Sequence, residues 1–352
     1  MKQSVSIGVI GTGMWGEDHL GCLKTDERVR VSWLCDRDAA RLDAAMRKFN
    51  VPNGARDYRE MLKDTTLDAV IIATPPFTHA TMAIDVMRAG KHVLVEKPMV
   101  HSRADMRRLL LEAARYPRLV RLDASFRSTR TQPKFTFIKN LIDSGVLGKV
   151  YHIHHSMMSP TMLCDRNPQA GWAIQRKFAG GGPSLNWGGY DLSFHLGLLG
   201  DKPRLKSLRS IARPGLRDIQ RPGYVCDVEQ HFAAFMEFTG GLTYYYERGE
   251  SAHCIAGSET QIHGTKAGLK FNYLEWESYD IEFFSPGMQG TGPTERKIIT
   301  VDRGDKPENC NILPLRHFVD CIQGNARPIM PLTLAAKHLD ILFKIVGQGR
   351  KR

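Results

Sequence analysis

One lysine lies where a cation could act on a substrate oxygen. Lys97 occurs in the sequence Glu96-Lys97-Pro98, directly after the apolar run His92–Val95, which predicts a buried strand. An ammonium group can hydrogen-bond a substrate oxygen and lower the pKa of a neighbouring acid. A solvated surface charge is the alternative, but a position at the end of a buried strand favours a chemical role.

A glycine cluster introduces the second group of candidate side chains. The residues after Gly180–Gly182 predict a helix that begins at about Ser184. On that helix Asn186, Tyr190 and Ser193 share one face. A polar face in an otherwise apolar segment is unusual for packing alone, and it indicates a ligand contact.

The same helix carries Asp191 and His195, which are four residues apart and so could pair. A purely structural hydrogen bond is the alternative interpretation. We keep His195 among the candidate substrate contacts.

A nucleotide-binding pattern lies near the start of the chain. The sequence Gly11-Thr12-Gly13-Met14-Trp15-Gly16 follows the predicted strand Val5–Ile10 and opens a predicted helix, as a dinucleotide-binding G-x-G-x-x-G turn does. Asp36 lies 20 residues after Gly16, where its carboxylate could bind both adenosine ribose hydroxyls and repel a 2′-phosphate. This favours NAD, although Arg37 could support a 2′-phosphate and leaves NADP as the alternative.

The loop after the third predicted strand should form a wall of the same cleft, because ligands of doubly wound sheets bind beyond the carboxyl ends of the strands. His79 could touch the dinucleotide or simply begin a helix. The predicted cofactor contacts are Gly11, Thr12, Gly13, Met14, Trp15, Gly16, Asp36, Arg37, Thr74, Pro75, Pro76, His79, Glu96 and Lys97.

The elements that position these residues predict two domains. In residues 1–125, short apolar runs alternate with amphipathic stretches, which is typical of a doubly wound parallel sheet of the Rossmann type. In residues 126–352, longer runs with polar alternation and glycine-rich turns predict an antiparallel sheet with one open face. Helices are expected near Pro133–Ser144, Leu313–Gln323 and Leu332–Val346. We therefore expect an α/β domain followed by an α+β domain.

The composition excludes several classes of protein. The net charge is +12, but the basic residues are spread along the chain, so nucleic acid is not an expected partner. No apolar run reaches the roughly 20 residues that span a bilayer, and no signal peptide is visible. The seven cysteines form no C-x-x-C pair, which favours reduced thiols over disulfides or a metal site. We expect a cytoplasmic enzyme without a metal.

Together these motifs resemble the glucose–fructose oxidoreductase/inositol dehydrogenase (Gfo/Idh/MocA) family, over nearly the whole chain. The resemblance rests on Gly11–Gly16, Asp36, Ala73–His79, Glu96-Lys97-Pro98, 142–150, Gly180–Gly182 and 262–268. It implies NAD-dependent hydride transfer on a sugar, inositol or related polyol. It also implies a large open sheet in the C-terminal domain, often used for dimer or tetramer contacts.

The chain departs from the family pattern G-G-G-x-x-x-D-x-G-x-H-x-x-D at its acid/base positions. Asn186 stands at the first Asp, Tyr190 at the His and Ser193 at the last Asp. Tyrosine there is similar to the glucose–fructose oxidoreductase and dimeric dihydrodiol dehydrogenase branch, in which Tyr is the proposed acid/base. The resemblance therefore implies Lys97 and Tyr190 as catalytic residues. Asn186 cannot exchange a proton as a carboxylate can, but its amide can bind a sugar hydroxyl.

Trp172 and Arg176, just before the glycine cluster, could line the sugar site through a stacking face and a hydrogen-bonding cation. The expected substrate contacts are Lys97, Trp172, Arg176, Asn186, Tyr190 and His195. Two other functions stay open. One is a glycosidase or lyase that oxidises its sugar transiently without net redox change, and the other is a non-catalytic NAD-binding sensor.

Overall fold

The computed structural model describes residues 4–127, 129–253, 256–274, 278–286, 295–302 and 311–349. Their contacts divide the chain into two compact units. The first contains the described residues up to 127 together with 311–337, and the second contains the described residues between 129 and 302 together with 338–349.

The first unit is built on a parallel sheet. In the order β3-β2-β1-β4-β5-β6, every neighbouring pair of its described strands is parallel. The strands are β1 (Val5–Ile10), β2 (Val29–Cys35), β3 (Asn53–Ala55), β4 (Ala69–Ile72), β5 (His92–Val95) and β6 (Arg121–Asp123). All residues of β1 and β4 are buried, as expected for strands covered on both faces. The strand order reverses at β1 and β4, which confirms the predicted Rossmann-type sheet.

Helices cover this sheet, and local capping explains where several begin. They are α1 (Met14–Leu23), α2 (Ala39–Phe49), α3 (Tyr58–Leu62), α4 (Pro76–Arg88) and α5 (Arg103–Ala113). The side chain of Asp38 accepts the main-chain N–H of Arg41 at the start of α2, and Ser102 accepts that of Asp105 at the start of α5, so each satisfies an otherwise unpaired donor. β3 and α3 were not predicted, because segments this short show too little periodicity.

The second unit contains a larger, mixed sheet with the order β14-β13-β12-β11-β7-β10-β9-β8. Its strands are β7 (Val150–Ser159), β8 (Leu205–Arg213), β9 (His231–Phe238), β10 (Thr243–Glu250), β11 (Gly257–Gly264), β12 (Gly268–Phe271), β13 (Asp280–Ser285) and β14 (Glu295–Thr300). The described strands pair antiparallel except β7 and β10, which run parallel. The antiparallel sheet was predicted correctly apart from this pair, whose strands are joined by the long crossover that parallel pairing requires.

One face of this sheet is open. Along β9, Phe232, Ala234, Met236 and Phe238 are buried, whereas Phe235 is 46% exposed. This alternation confirms the predicted open face. β8 was not predicted because only Leu208 and Ala212 of its residues are buried.

The helices of the second unit are α6 (Pro133–Asp143), two short helices, α7 (Leu163–Arg166) and α8 (Arg176–Ala179), and α9 (Pro183–Leu198). α9 is buried on nearly all sides, as an apolar helix should be. Near the C terminus, α10 (Ile312–Ile322) belongs to the first unit, and α11 (Leu332–Gly349) begins in the first unit and ends in the second. The guanidinium of Arg28 binds Asp320 at 2.5 Å, and the main-chain N–H of Asp123 donates to Met330. These contacts attach residues from the end of the chain to the first unit.

Candidate active site

The three glycines of the first loop meet different demands. Gly11 has a φ of +92°, a conformation that side chains other than glycine rarely adopt. A Cβ on Gly16 would lie 1.9 Å from the carbonyl oxygen of Gly11, so α1 can approach β1 only without a side chain there. A Cβ on Gly13 would meet nothing nearer than an Arg41 guanidinium nitrogen at 3.8 Å. The open space at Gly13 fits a loop that leaves room for a pyrophosphate.

The start of α1 is suited to an anion. Gly13 is its N-cap, and no side chain caps the helix, so its first N–H groups and the positive end of its dipole face outward. Met14 and Trp15, predicted cofactor contacts, are 57% and 36% exposed. The residues therefore fit a dinucleotide phosphate at the position that the sequence predicted.

Asp36 ties the end of β2 to the glycine loop. One of its carboxylate oxygens accepts the main-chain N–H of Thr12 at 2.9 Å and the Thr12 hydroxyl at 3.0 Å. The other accepts the main-chain N–H of Asp38 at 3.0 Å. The carboxylate thus lies beside the loop, as a ribose-binding acid must. Arg37 is exposed at the same strand end.

His79 links two loops instead of facing outward. Its ring is fully buried, with Nε2 2.6 Å from the carbonyl oxygen of Thr74 and Nδ1 2.9 Å from that of Pro98. Burial lowers the pKa of His79, although the contacts with the two carbonyl oxygens act in the opposite direction. We assign His79 a structural role, in place of the expected dinucleotide contact. Pro75 caps α4, and Pro76 is its first residue.

Glu96 also turns inward. Its carboxylate accepts hydrogen bonds from His19 Nε2 at 2.8 Å and from Arg127 at 2.5 and 3.3 Å. Burial alone would raise the pKa of Glu96, but the charge of Arg127 and the bond from His19 outweigh it and hold that pKa well below its ordinary range. Arg127 also stacks on the Trp15 ring, 3.9 Å from its centroid. We therefore assign Glu96 a structural role beneath the predicted cofactor loop.

This carboxylate fixes the position of the lysine that follows it. The main-chain N–H of Lys97 donates to Glu96 at 3.1 Å, and a cis peptide bond joins Lys97 to Pro98. The Lys97 side chain is half-buried. Lys97 belongs to the first unit, whereas Asn186 and Tyr190 belong to the second.

In the second unit, α9 packs against the side chains on one face of β10. Two strand residues advance about as far as four helix residues, so alternate residues of β10 meet successive turns of α9. The observed contacts are Tyr244 with His195, Tyr246 with Asp191, Arg248 with Asp191 and Trp187, and Glu250 with Asn186. The strand thereby holds the helix that carries Tyr190.

Asp191 is the anchor of this contact. Its fully buried carboxylate accepts two hydrogen bonds from Arg248, at 2.8 and 2.9 Å, and others from the hydroxyls of Tyr246 and Tyr273. Burial would raise the pKa of Asp191, but Arg248 and the hydrogen bonds outweigh it and hold the pKa far below its ordinary range. Asp191 is therefore a structural anion. Its carboxylate is bound by Arg248, Tyr246 and Tyr273, and the pairing with His195 that the four-residue spacing suggested is not observed.

His195 belongs to a buried chain of hydrogen bonds. Its Nδ1 lies 2.7 Å from the Tyr244 hydroxyl and its Nε2 lies 3.1 Å from Thr260 Oγ1, which lies 2.9 Å from His155 Nδ1. Burial lowers the pKa of both histidines, that of His155 to about 4. Both rings are therefore neutral, and a chain that runs from Tyr244 through His195 and Thr260 to His155 satisfies each contact with one proton. His195 is 0% exposed, so we leave it out of the substrate site.

The three residues predicted to form a polar face of α9 have different neighbours. Tyr190 is 7% exposed, and its ring lies 5.8 Å from that of Trp187. The amide nitrogen of Asn186 donates to the carboxylate of Glu250 at 3.4 Å. The Ser193 hydroxyl, by contrast, accepts the Nε–H of Arg130 at 3.1 Å. Glu250 was not among the predicted site residues. The alternation of Tyr244, Tyr246, Arg248 and Glu250 along β10 was the available sequence signal that these side chains share one side of the strand.

The other predicted substrate contacts lie in the short segments before α9. Trp172 lies in the 3-10 turn Pro168–Ile174 and is half-buried. Arg176 begins α8, and its main-chain N–H donates to Asp227 at 2.7 Å. Contact of either side chain with a substrate stays a prediction.

Within the described part of the chain, no cluster of three or more His, Cys, Asp or Glu side chains is arranged to hold a metal ion. The thiols of Cys35, Cys164, Cys226 and Cys321 are free, and Cys254 and Cys310 lie outside the described residues. None of the helices seen in these segments is long and apolar enough to cross a membrane.

Two family models match the chain. Residues 5–123 match the GFO/IDH/MocA model described as an oxidoreductase family with an NAD-binding Rossmann fold, and residues 135–270 match the GFO/IDH/MocA C-terminal domain. Together the two matched segments span most of the chain.

Curated relatives include a levoglucosan dehydrogenase and an inositol dehydrogenase. The levoglucosan dehydrogenase of Pseudarthrobacter phenanthrenivorans is 24% identical over 307 residues, which are 80% of this chain and 77% of that protein. Inositol 2-dehydrogenase of Salmonella typhimurium is 32% identical over 171 residues, which are 47% of this chain and 50% of that enzyme.

Solved structures share the fold over the full chain. Levoglucosan dehydrogenase in complex with NADH and levoglucosan superposes with a TM-score of 0.85 and 19% identity, covering 99% of this chain and 98% of that one. Aldose–aldose oxidoreductase of Caulobacter crescentus, complexed with glycerol, has a TM-score of 0.78 and 20% identity, with the same coverage. At these identities the likeness establishes the fold.

Proposed function

Because the chain belongs to the GFO/IDH/MocA oxidoreductase family, we propose that it is an NAD-dependent dehydrogenase of a sugar, inositol or related polyol. It moves a hydride between the nicotinamide and a secondary alcohol or carbonyl. The observation that carries this proposal is the glycine loop, which is open at Gly13 and has the carboxylate of Asp36 bound to Thr12.

The loop Gly11–Gly16 and the start of α1 hold the pyrophosphate, and Asp36 binds the adenosine ribose. NAD, when bound, supplies the hydride acceptor. Asp36 favours NAD over NADP because its charge opposes a 2′-phosphate. Arg37, exposed beside it, is the residue that a 2′-phosphate could contact.

Lys97 and Tyr190 act on the substrate hydroxyl. Lys97 donates a hydrogen bond to the oxygen of the reacting carbon, and Tyr190 accepts the hydroxyl proton as the hydride leaves. Asn186, one helical turn earlier on α9, binds a neighbouring hydroxyl. Trp172 and Arg176 line the sugar site.

The open sheet face supports self-association. It exposes the apolar side chains of Phe235, Ile211 and Ile298, at 46%, 38% and 56%. We propose a homodimer or homotetramer that covers this face. Light scattering at micromolar concentration checks it, and a monomer would contradict it. The free thiols of Cys35, Cys164, Cys226 and Cys321 support a reducing, cytoplasmic location.

The test is an NADH absorbance screen of the purified protein with NAD and with NADP. The panel contains aldoses, uronic acids, inositols and glycosides. NADH formation with one class supports the proposal and identifies the substrate class. Product without net NADH would point to transient oxidation, and NAD binding without turnover would point to a sensor.

A further inference from the structure

A buried guanidinium lies between the predicted cofactor loop and the proposed catalytic lysine. We propose that Arg127 is a positioning residue, which couples the ring of Trp15 in the cofactor loop to the main chain of Lys97. This inference rests on the proposed function and deepens it, because it adds a residue that acts on the reaction through two others.

Arg127 covers one face of the Trp15 ring. Its guanidinium carbon lies 3.9 Å from the ring centroid, which is too close for a contact at the ring edge, so the two groups stack. Trp15 is the second residue of α1 and is still 36% exposed. The stack therefore fixes the orientation of a ring that keeps surface for a bound dinucleotide.

The same guanidinium holds Glu96, the residue before Lys97. Two nitrogens of Arg127 donate to the two carboxylate oxygens of Glu96, at 2.5 and 3.3 Å. Glu96 also accepts the main-chain N–H of Lys97 at 3.1 Å. Two parallel hydrogen bonds from a guanidinium fix the plane of a carboxylate, and here they fix the main chain at Lys97 as well.

A second contact, one turn further along α1, reinforces this arrangement. Trp15 and His19 are four residues apart on α1, so they share one face of the helix. Trp15 meets Arg127, whereas His19 Nε2 lies 2.8 Å from the carboxylate of Glu96. The helix that opens at the cofactor loop is therefore held by both members of the ion pair.

Three elements of the first unit meet at this ion pair. Arg127 follows β6, and its main-chain N–H donates to the carbonyl oxygen of Ala124 at 3.0 Å. Glu96 follows β5, and Trp15 lies in α1. Arg127 and Glu96 are 2% and 4% exposed, so little water is present to replace a lost hydrogen bond. A change at Arg127 should therefore act on both Trp15 and Lys97.

The first test is the rate of hydride transfer in Arg127→Lys, which keeps the charge beside Glu96 but loses the paired hydrogen bonds and the planar face. We expect the rate to fall about 10- to 100-fold, because a displacement of about 1 Å at a catalytic group has an effect of this size. In a Lys97→Met background, the same substitution should change the rate less than about twofold, since the group that it positions is gone. A purely structural role would lower the rate by the same factor in both backgrounds.

The second test is NADH affinity, measured by fluorescence titration. Arg127→Lys should weaken NADH binding about three- to tenfold, because the Trp15 ring is no longer held by the guanidinium. In a Trp15→Leu background, Arg127→Lys should leave NADH affinity within about twofold. An equal loss in both backgrounds would overturn the coupling to Trp15.

Arg28→Lys is the matched control. Arg28 binds two carboxylates of the first unit, but it precedes β2, whereas Lys97 follows β5, so the two lie at opposite edges of the parallel sheet. This variant should keep the hydride-transfer rate and NADH affinity of the wild type. Circular dichroism checks that each variant is folded. If Arg127→Lys does not fold, the double variant Glu96→Gln with Arg127→Gln, which leaves no unpaired buried charge, replaces it in both tests.

The two proposals fail in different ways. If the wild type oxidises a polyol and Arg127→Lys leaves the rate unchanged, or lowers it equally with and without Lys97, the positioning role is overturned and the proposed function stands. If the wild type oxidises no polyol of the panel, the proposed function fails, and the inference about Arg127 fails with it.

Discussion

The guanidinium of Arg248 binds both carboxylate oxygens of Asp191, at 2.8 and 2.9 Å, with side chains that are 1% and 0% exposed. Asp191 follows Tyr190 directly on α9, and Arg248 also lies over the Trp187 ring at 4.9 Å. The ion pair therefore joins the strand to the helix at the residues next to the proposed acid/base.

Asp191→Asn should destabilise the protein strongly, because it leaves the buried charge of Arg248 without its counter-ion. We expect the free energy of unfolding to fall by about 3–5 kcal/mol, measured by urea denaturation. Asp201→Asn provides a comparison, since the Arg130–Asp201 pair has side chains that are 9% and 19% exposed and should lose less. Equal losses in the two variants would contradict a special contribution from the buried pair.

Asp123, at the end of β6, should make stability depend on pH in a direction unusual for a carboxylate. Burial raises its pKa from the ordinary 3.8 to about 6. The folded state therefore binds this proton more tightly than the unfolded state, and its contribution to stability is lost as the pH rises from about 4 to about 6.

Asp123→Asn removes this dependence and keeps an acceptor for the main-chain N–H of Ser125, which donates to Asp123 at 2.8 Å. Relative to the wild type, the variant should gain about 2.4 kcal/mol between about pH 4 and about pH 7.5. Denaturation at both pH values measures this difference, and carboxylates common to both proteins cancel. A difference that does not change with pH would contradict the raised pKa.

Gly16→Ala and Gly13→Ala should separate packing from cofactor binding. A Cβ on Gly16 meets a backbone oxygen at 1.9 Å, so this variant should lose about 3 kcal/mol of stability. A Cβ on Gly13 has only the Arg41 nitrogen at 3.8 Å, so this variant should fold and bind NAD about tenfold more weakly. Thermal unfolding and NADH titration measure both effects. Unchanged NAD affinity in Gly13→Ala would remove this glycine from the phosphate site.

Asp36→Asn should weaken NAD binding by about 10- to 100-fold, since a charged acceptor for the ribose hydroxyls is lost. NADP binding should weaken less or improve, because the charge opposing a 2′-phosphate is also gone. Calorimetric titration with both cofactors gives the ratio. Asp38→Asn, which retains the cap on the Arg41 N–H observed at 3.1 Å, should leave that ratio unchanged.

Tyr190→Phe should reduce kcat by about 100-fold or more if the phenol exchanges the hydroxyl proton. NADH binding should be unaffected, because the predicted cofactor contacts lie in the first unit. Stopped-flow measurement of hydride transfer provides the rate. A variant with wild-type kcat would show that another group takes the proton.

The sequence by itself determined the features that depend on local pattern. The strands Val5–Ile10 and His92–Val95 have the predicted bounds, because short apolar runs specify a strand wherever they pack. The glycine spacing before α1 and the position of Asp36 needed no distant contact either.

The tertiary structure alone decided the roles of the buried polar groups. Nothing local distinguishes Glu96 or His79, predicted as cofactor contacts, from side chains that face a ligand. Each turned inward because a partner distant in sequence, Arg127 or Pro98, offered a hydrogen bond. Likewise, the pairing of Asn186 with Glu250 across 64 residues depends on how β10 lies under α9. Hydrogen-bond partners of buried charges are chosen by packing, which a pattern of adjacent residues does not contain.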